Sequence, residues 1–418
     1  ARFAQQMNKL PTRVDAVVVG AGLAGLAAAR QIKSHGRSVI VVEAQDGVGG
    51  RVRTDKVDGF LLDRGFQVLL TAYPELQTQI DMKALDLKMF SSGALVMREG
   101  RSSVVTDPFR EPRRALATVF APVGTLTDKL RIAVLRWRVM HRNAPKILKS
   151  VDVSSTQALR CFGFSETMID RFFRPLFGGI QLDPDLRTSR RMFEIIFKSL
   201  SEGQSALPAN GMSAIPEQMA KNLGTENIFL NTRATKIETG AVTTAGGRVE
   251  TNAVIVATDQ PSASELLRTN EIASRVVGCV YFSADTPPTQ EKFVVLDGTG
   301  QGPVLNAAVL SNVAPSYAPP GKHLIVAALP GIITGDLEAM SRDQLRTWWG
   351  PQVDGWSHLK TYRITHAGPE QQPPFNPKQK VSLGNGLFVC GDHRDTGSIQ
   401  GALYSGRRCG EAVLASLA

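Results

Sequence analysis

Residues 14–54 read VDAVVVGAGLAGLAAARQIKSHGRSVIVVEAQDGVGGRVRT, and this stretch decides the fold. The apolar run at 14–19 has the length of a buried strand, a glycine-rich turn follows, and the residues to His35 suit a helix. A second buried strand, SVIVVEA, spans 38–44. Strand, turn, helix and strand within about 30 residues make the repeating unit of a doubly wound parallel sheet. Gly20 permits the tight turn, Gly22 lets the backbone approach a pyrophosphate, and Gly25 allows close helix–strand packing. With Leu23 and Ala24 they open a helix whose unpaired N–H groups favour phosphate. Glu43 ends the second strand 18 residues after Gly25, where a carboxylate accepts from a ribose 2′-OH and repels a 2′-phosphate. A lone GxGxxG is weak evidence, but here five features fall in register.

Working outward, Ala44 leads into Gly49-Gly50-Arg51, a second backbone approach followed by a fixed positive charge suited to pyrophosphate. Residues 110–175 carry helical periodicity and many arginines. Short strands return at 228–258, and strands with Pro/Gly-rich turns fill 276–330. A helix is predicted at 336–349, a last buried strand at 387–391 and a closing helix at 398–417. That last strand is most easily placed back in the N-terminal sheet. The reading is an α/β chain: a doubly wound Rossmann-type dinucleotide-binding domain from residues 1–75, 208–265 and 380–418, with an inserted mixed-sheet and helical substrate domain from 76–207 and 266–379.

Composition excludes several classes. With 43% hydrophobic and 21% charged residues over 418 positions, the chain is an ordinary globular one. No apolar run reaches the roughly 18 to 20 residues that span a bilayer. The excess of 48 Lys and Arg over 38 Asp and Glu favours anionic partners. No known nucleic-acid motif accompanies that charge, so no nucleic acid is expected. Cys161, Cys279, Cys390 and Cys409 form no CxxC pair, which argues against a zinc site or disulfide scaffold, and no metal is expected. The start at Ala1, without Met or an apolar leader, suggests a processed or trimmed beginning. A cytoplasmic or plastid-stromal setting is expected, with a possible peripheral place at a membrane.

The segment VVEAQDGVGGRVRT (41–54) resembles the FAD-dependent family of monoamine oxidases, phytoene desaturases and protoporphyrinogen oxidases. That resemblance implies FAD as cofactor and places Arg51 by its phosphates and flavin. NIFLNTRATKI (227–237) with AVIVATD (253–259) resembles the family's middle strands, which implies a backbone contact of Ala234 with adenine. LFVCGDHRDTGSIQGALYSGRRCGEAV (387–413) resembles its closing motif. Gly391 and Asp392 would then meet the ribityl or phosphate portion, and the N–H groups of Ile399 and Gln400 would point at the flavin C2 carbonyl. Only one dinucleotide fingerprint is present, so electrons should leave to oxygen, a quinone or another protein, or return to the substrate.

Within the family, three departures count against an amine substrate. Ser398 stands where monoamine oxidase has tyrosine, Gly278 where a lysine-bearing strand would place its lysine, and residues 361–375 lack the cysteine of a covalent flavin link. RFFRPLFGGI (171–180) and LPANGMSAIPEQMA (207–220) resemble the desaturase and protoporphyrinogen oxidase branch, whose substrates are large and apolar. Phe172, Phe173 and Phe177 read first as ordinary core packing, with the lining of such a pocket as the alternative. Phe66, Gln67 and Ser398 are the flavin-face candidates, and Arg64 either binds an acidic group or pairs with Asp63 or another carboxylate. No general base is evident; His366 and His393 are weak candidates. The expected activity is hydride transfer from a hydrophobic, isoprenoid or tetrapyrrole, substrate to flavin. An amine oxidase and a non-catalytic flavoprotein subunit are the rivals.

Residues 125–142, TLTDKLRIAVLRWRVMHR, carry two apolar stripes at helical spacing with arginine rails between them. Leu126, Leu130, Ala133, Val134, Trp137 and Met140 form one; Ile132, Leu135 and Val139 form the other. Either both are buried, or the region 113–149 meets a membrane surface or a partner in a membrane complex.

Overall fold

β1 (Arg13–Val19), α1 (Leu23–Ser34) and β2 (Val39–Val42) form the expected unit in the computed structural model, which describes residues 9–106, 110 and 115–418. β1 pairs in parallel with β2, Ala16 opposite Val39 through Val19 opposite Val42. On its other side β1 pairs in parallel with Gly247–Val256. The sheet runs Ile228–Phe229, β2, β1, Gly247–Val256, Ala241–Thr244, Ala234–Glu238. The strand Leu387–Val389 joins it in parallel beside Val254–Val256. β2 is buried at every position, as befits a strand covered on both faces. The closing helix, Ile399–Leu417, packs along α1. Its glycines make that approach possible: a Cβ on Gly406 would lie 2.2 Å from the Ala24 carbonyl oxygen.

A second, seven-stranded mixed sheet runs Ser357–Pro369, Ser274–Ala284, His323–Pro330, Asn306–Val309, Val294–Asp297, Gly93–Arg98, Arg101–Thr106. Only the Val294–Asp297 and Gly93–Arg98 pair is parallel among these. The helix Leu337–Trp349, capped at its start by the Asp336 carboxylate on Ala339 N–H, covers one face. Beside this sheet stand the helices Leu126–Met140, Arg174–Ile180 and Arg190–Glu202. Phe164, Phe173, Phe177, Phe193 and Phe197 knit the last two of these together through edge and tilted ring contacts, and the first packs against Arg190–Glu202.

The 126–140 helix starts at a capping box. Thr125 accepts from Asp128 N–H, and the Asp128 carboxylate accepts from Thr125 N–H. Leu135 and Val139 are buried and Ile132 is half-buried, while the other stripe faces outward. The structure therefore excludes burial of both stripes. Residues 113 and 114 of the predicted surface region lie outside the described residues. Among the described residues, no helix is long and apolar enough to cross a membrane.

Candidate active site

A cavity of about 1460 Å³ opens at the C-terminal ends of β1 and β2 and continues past the closing helix into the space between the two sheets and the Phe-rich helices. Its nucleotide end is built by the glycines. Gly25 serves packing, since a Cβ there would sit 2.0 Å from the Gly20 carbonyl oxygen. Gly22 is different: a Cβ there meets nothing within 4 Å, and the residue lines the cavity. Facing it, Gly50 would touch only the Gly22 Cα, at 3.6 Å. No side chain caps α1, so its first N–H groups remain for an anion.

Glu43 is buried at the edge of this cradle. Its two oxygens accept from Ala21 N–H at 2.7 Å and Gln45 N–H at 2.8 Å, which fixes the carboxylate at the end of β2. Leu23, Ala24, Ala44 and Ala234 line the same end. The open cradle, the uncapped helix and the fixed carboxylate fit the pyrophosphate and ribose of FAD.

Arg51 and Asp392 also line the cavity and pair with each other, Nη2 to Oδ1 at 2.6 Å. Arg51 Nη1 donates to the Ala367 carbonyl at 3.1 Å. Burial opposes charge on Asp392, yet the adjacent Arg51 guanidinium holds it below the usual carboxylate range. Gly391 lines the cavity with them.

The three flavin-face candidates share one cavity. Phe66, Gln67 and Ser398 all line the cavity. Gln67 is a brace: its amide donates to the carbonyls of Arg51 at 2.9 Å and Arg64 at 3.0 Å. Ser398 caps the closing helix by accepting from Gly401 N–H at 3.1 Å. Tyr73, beside Ser398, lines the cavity as well, its phenol pushed up to about 12 by burial. Ile399 lines the cavity. The Gln400 side chain turns away and accepts from Glu75 N–H at 2.9 Å.

The structure corrects one placement and decides among the alternatives left open for the others. Gly278 faces away from the cavity: a Cβ there would meet the Ile332 carbonyl oxygen at 2.5 Å and Leu337 at 2.7 Å. Its neighbour Val277 lines the cavity instead, so no lysine stands at that place either. Phe173 is fully buried in the aromatic cluster, while Phe172 and Phe177 reach the cavity. Of the alternatives for Arg64, the structure selects pairing with a carboxylate other than Asp63, namely Asp55 at 3.0 Å. Neither histidine lines the cavity. His393 rests against Gly391, its ring pushed down to about 4 by burial, and His366 bonds Ser274 on the exposed side.

Sequence reasoning missed a polar group at the cavity wall. Asp55 accepts from Arg64, from Lys360 Nζ at 2.9 Å and from the Tyr362 hydroxyl at 2.8 Å. Burial opposes its charge, but these three donors hold it far below the usual range. The Tyr362 phenol, half-buried and beside that carboxylate, is pushed well up and stays protonated. Tyr362 and Arg363 line the cavity.

Beyond the nucleotide end, Phe172, Leu176, Phe177, Met192, Ile196 and Phe197 give the lining a large apolar share, with Gln181, Thr188, Arg275 and Asn306 among its polar residues. Among the described lining residues the acids are Glu43, Asp259, Glu265 and Asp392. Glu43 closes β2, Asp259 and Glu265 belong to the helix that follows Gly247–Val256, and Asp392 follows the last strand. All four thus belong to the nucleotide-binding half.

A family model described as flavin containing amine oxidoreductase matches residues 23–414. Protoporphyrinogen oxidase 2 of Arabidopsis thaliana is 28% identical over 184 residues, covering 42% of this chain and 34% of that protein. Putrescine oxidase of Kocuria rosea is 47% identical over 72 residues, 17% of this chain and 15% of that protein. The chain thus matches about a third or less of the length of these curated relatives. An oxidoreductase from Methanosarcina mazei has the same fold, with a TM-score of 0.74 at 18% identity over 95% of this chain and 100% of that one. The chain belongs to the family of flavin-containing amine oxidoreductases, and its cofactor is FAD.

Proposed function

We propose that the chain oxidises or isomerises a large apolar substrate by hydride transfer, in the manner of the desaturase and protoporphyrinogen oxidase branch. One observation carries the reading: beyond the nucleotide end the cavity is lined largely by aromatic and aliphatic side chains, and every lining acid belongs to the nucleotide half. A protonated amine entering that lobe would lose hydration without a carboxylate to replace it, which costs several kcal/mol. Arg64 and Arg363, which also line the cavity, add positive rather than negative charge to it. The name of the Arabidopsis relative adds weight to a tetrapyrrole.

Bound FAD supplies the acceptor for a hydride leaving a substrate C–H. The chain supplies position and field. Phe66 offers a flat apolar surface, and Gln67 fixes the backbone that carries Arg51 and Arg64. The start of the closing helix at Ser398 and Ile399 favours negative charge beside it. Tyr362, kept protonated, donates its O–H to Asp55 and can only accept a hydrogen bond at the wall. The Phe-lined lobe excludes water from the reacting C–H.

A scaffold role fits poorly with so large a cavity beside these residues. The test is anaerobic bleaching of the FAD-loaded protein by tetrapyrroles, isoprenoids and amines in turn. Bleaching by an apolar tetrapyrrole or isoprenoid and not by amines is the expected result. Bleaching by amines alone would overturn the substrate class.

A further inference from the structure

Seven of the twelve large apolar residues exposed among the described residues fall between Val119 and Met140. Leu126, Leu130, Val134 and Trp137 are 62–68% exposed, and Phe120, at the end of the short helix Ala115–Phe120 that precedes this one, is 79% exposed. Spacings of four, four and three residues align the first four along one side of the 126–140 helix. Single exposed apolar residues are commonplace, but a contiguous row marks a surface that is covered in use.

Two further observations say what covers it. The row is bounded by cations: Lys129, Arg131, Arg136 and Arg138 stand half-exposed along it, and Lys146 and Lys149 are exposed just beyond its end. The helix's one acid, Asp128, is fully buried as the cap of its first turn, so no negative charge faces outward with the row. The row also borders the cavity, whose lining includes Val119, Leu126, Lys129, Leu130 and Ala133. A flat apolar strip with long cations beside it matches the acyl boundary and headgroups of an anionic bilayer.

We propose that the 126–140 helix lies in the surface of an anionic bilayer, with the cavity mouth opening against the lipid. The docking itself stands on this helix alone. That the mouth takes substrate from the lipid rests on the function proposed above.

The test uses the FAD-loaded full chain with vesicles of phosphatidylcholine alone and with added phosphatidylglycerol. Sedimentation with the anionic vesicles is expected, falling steeply with salt and at least tenfold weaker with neutral ones. Trp137 is exposed whereas Trp348 and Trp356 are buried, so its emission should shift to the blue on binding, and Trp137→Phe should keep binding and lose most of that shift. Val134→Glu with Trp137→Glu should cut binding at least tenfold while flavin content and melting temperature hold. Equal binding by that variant, or no binding to anionic vesicles, would overturn the proposal. So would concentration-dependent dimerisation abolished by the same pair, which would assign the face to a second copy. None of these readouts requires turnover, so a protein that no substrate bleaches still gives a clear answer on docking.

Discussion

Gly22 and Gly25 lie three residues apart in one motif and are glycines for opposite reasons. At Gly25 a side chain collides with the backbone of its own turn; at Gly22 it projects into the space left for the pyrophosphate. Gly22→Val is therefore expected to fold with an unchanged melting curve while losing FAD affinity by at least about tenfold, a penalty of about 1.4 kcal/mol. Gly25→Val should fail to accumulate as folded protein. Flavin content and circular dichroism measured together separate the two. Asp63 makes a second residue-scale prediction. Burial lifts it from 3.8 to about 6 against bonds from Thr54, Met212 N–H and Tyr317. A carboxyl raised on folding binds its proton more tightly in the native state, so its contribution is full below the unfolded value and is lost as pH climbs towards 6. The loss is worth about 3 kcal/mol across that window. Asp63→Asn should thus gain on the wild type in urea unfolding between pH 4.5 and 7, and a constant difference would contradict the assignment. The glycines and Glu43 were legible because all their partners lie within one local unit. Asp55 was not, because Lys360 and Tyr362 reach it from 305 and 307 residues away.

At the scale of elements, periodicity gave the 126–140 helix both of its stripes, but only packing against Arg190–Glu202 decides which one is buried. Leu135→Ala should cost about 2–5 kcal/mol, the usual range for emptying a core leucine. Val134→Ala, one position away on the outer face, should stay within about 0.5 kcal/mol. Equal losses would mean the helix is rotated from the orientation described. The strand Ser274–Ala284 shows the opposite limit. There a one-residue slip in reading exchanges the two faces of the sheet, so Gly278 was assigned a place that belongs to Val277. The conclusion about the missing lysine survives the slip, since neither residue carries an amine. The starts of two helices were legible where Asp336 and Ser398 precede an apolar period, and both residues cap them.

For the whole molecule, the nucleotide sheet draws strands from residues 13–42, 228–256 and 382–389, so the two ends of the chain meet at one cavity. Asp392, following the last strand, reaches Arg51, following the second, across 341 residues of sequence. The shape of the sheet was foreshadowed by its apolar runs. The size of the cavity, and the segregation of its acids to the nucleotide half, depend on how the second sheet and the Phe-rich helices close over it. The meeting of the two ends around one flavin is the central claim. Its most direct measurement is the flavin content of the purified full chain after gel filtration and denaturation. One FAD released per chain is expected, with the content sharply reduced in Gly22→Val. A colourless protein that releases no flavin, and takes none up when FAD is supplied, would contradict it.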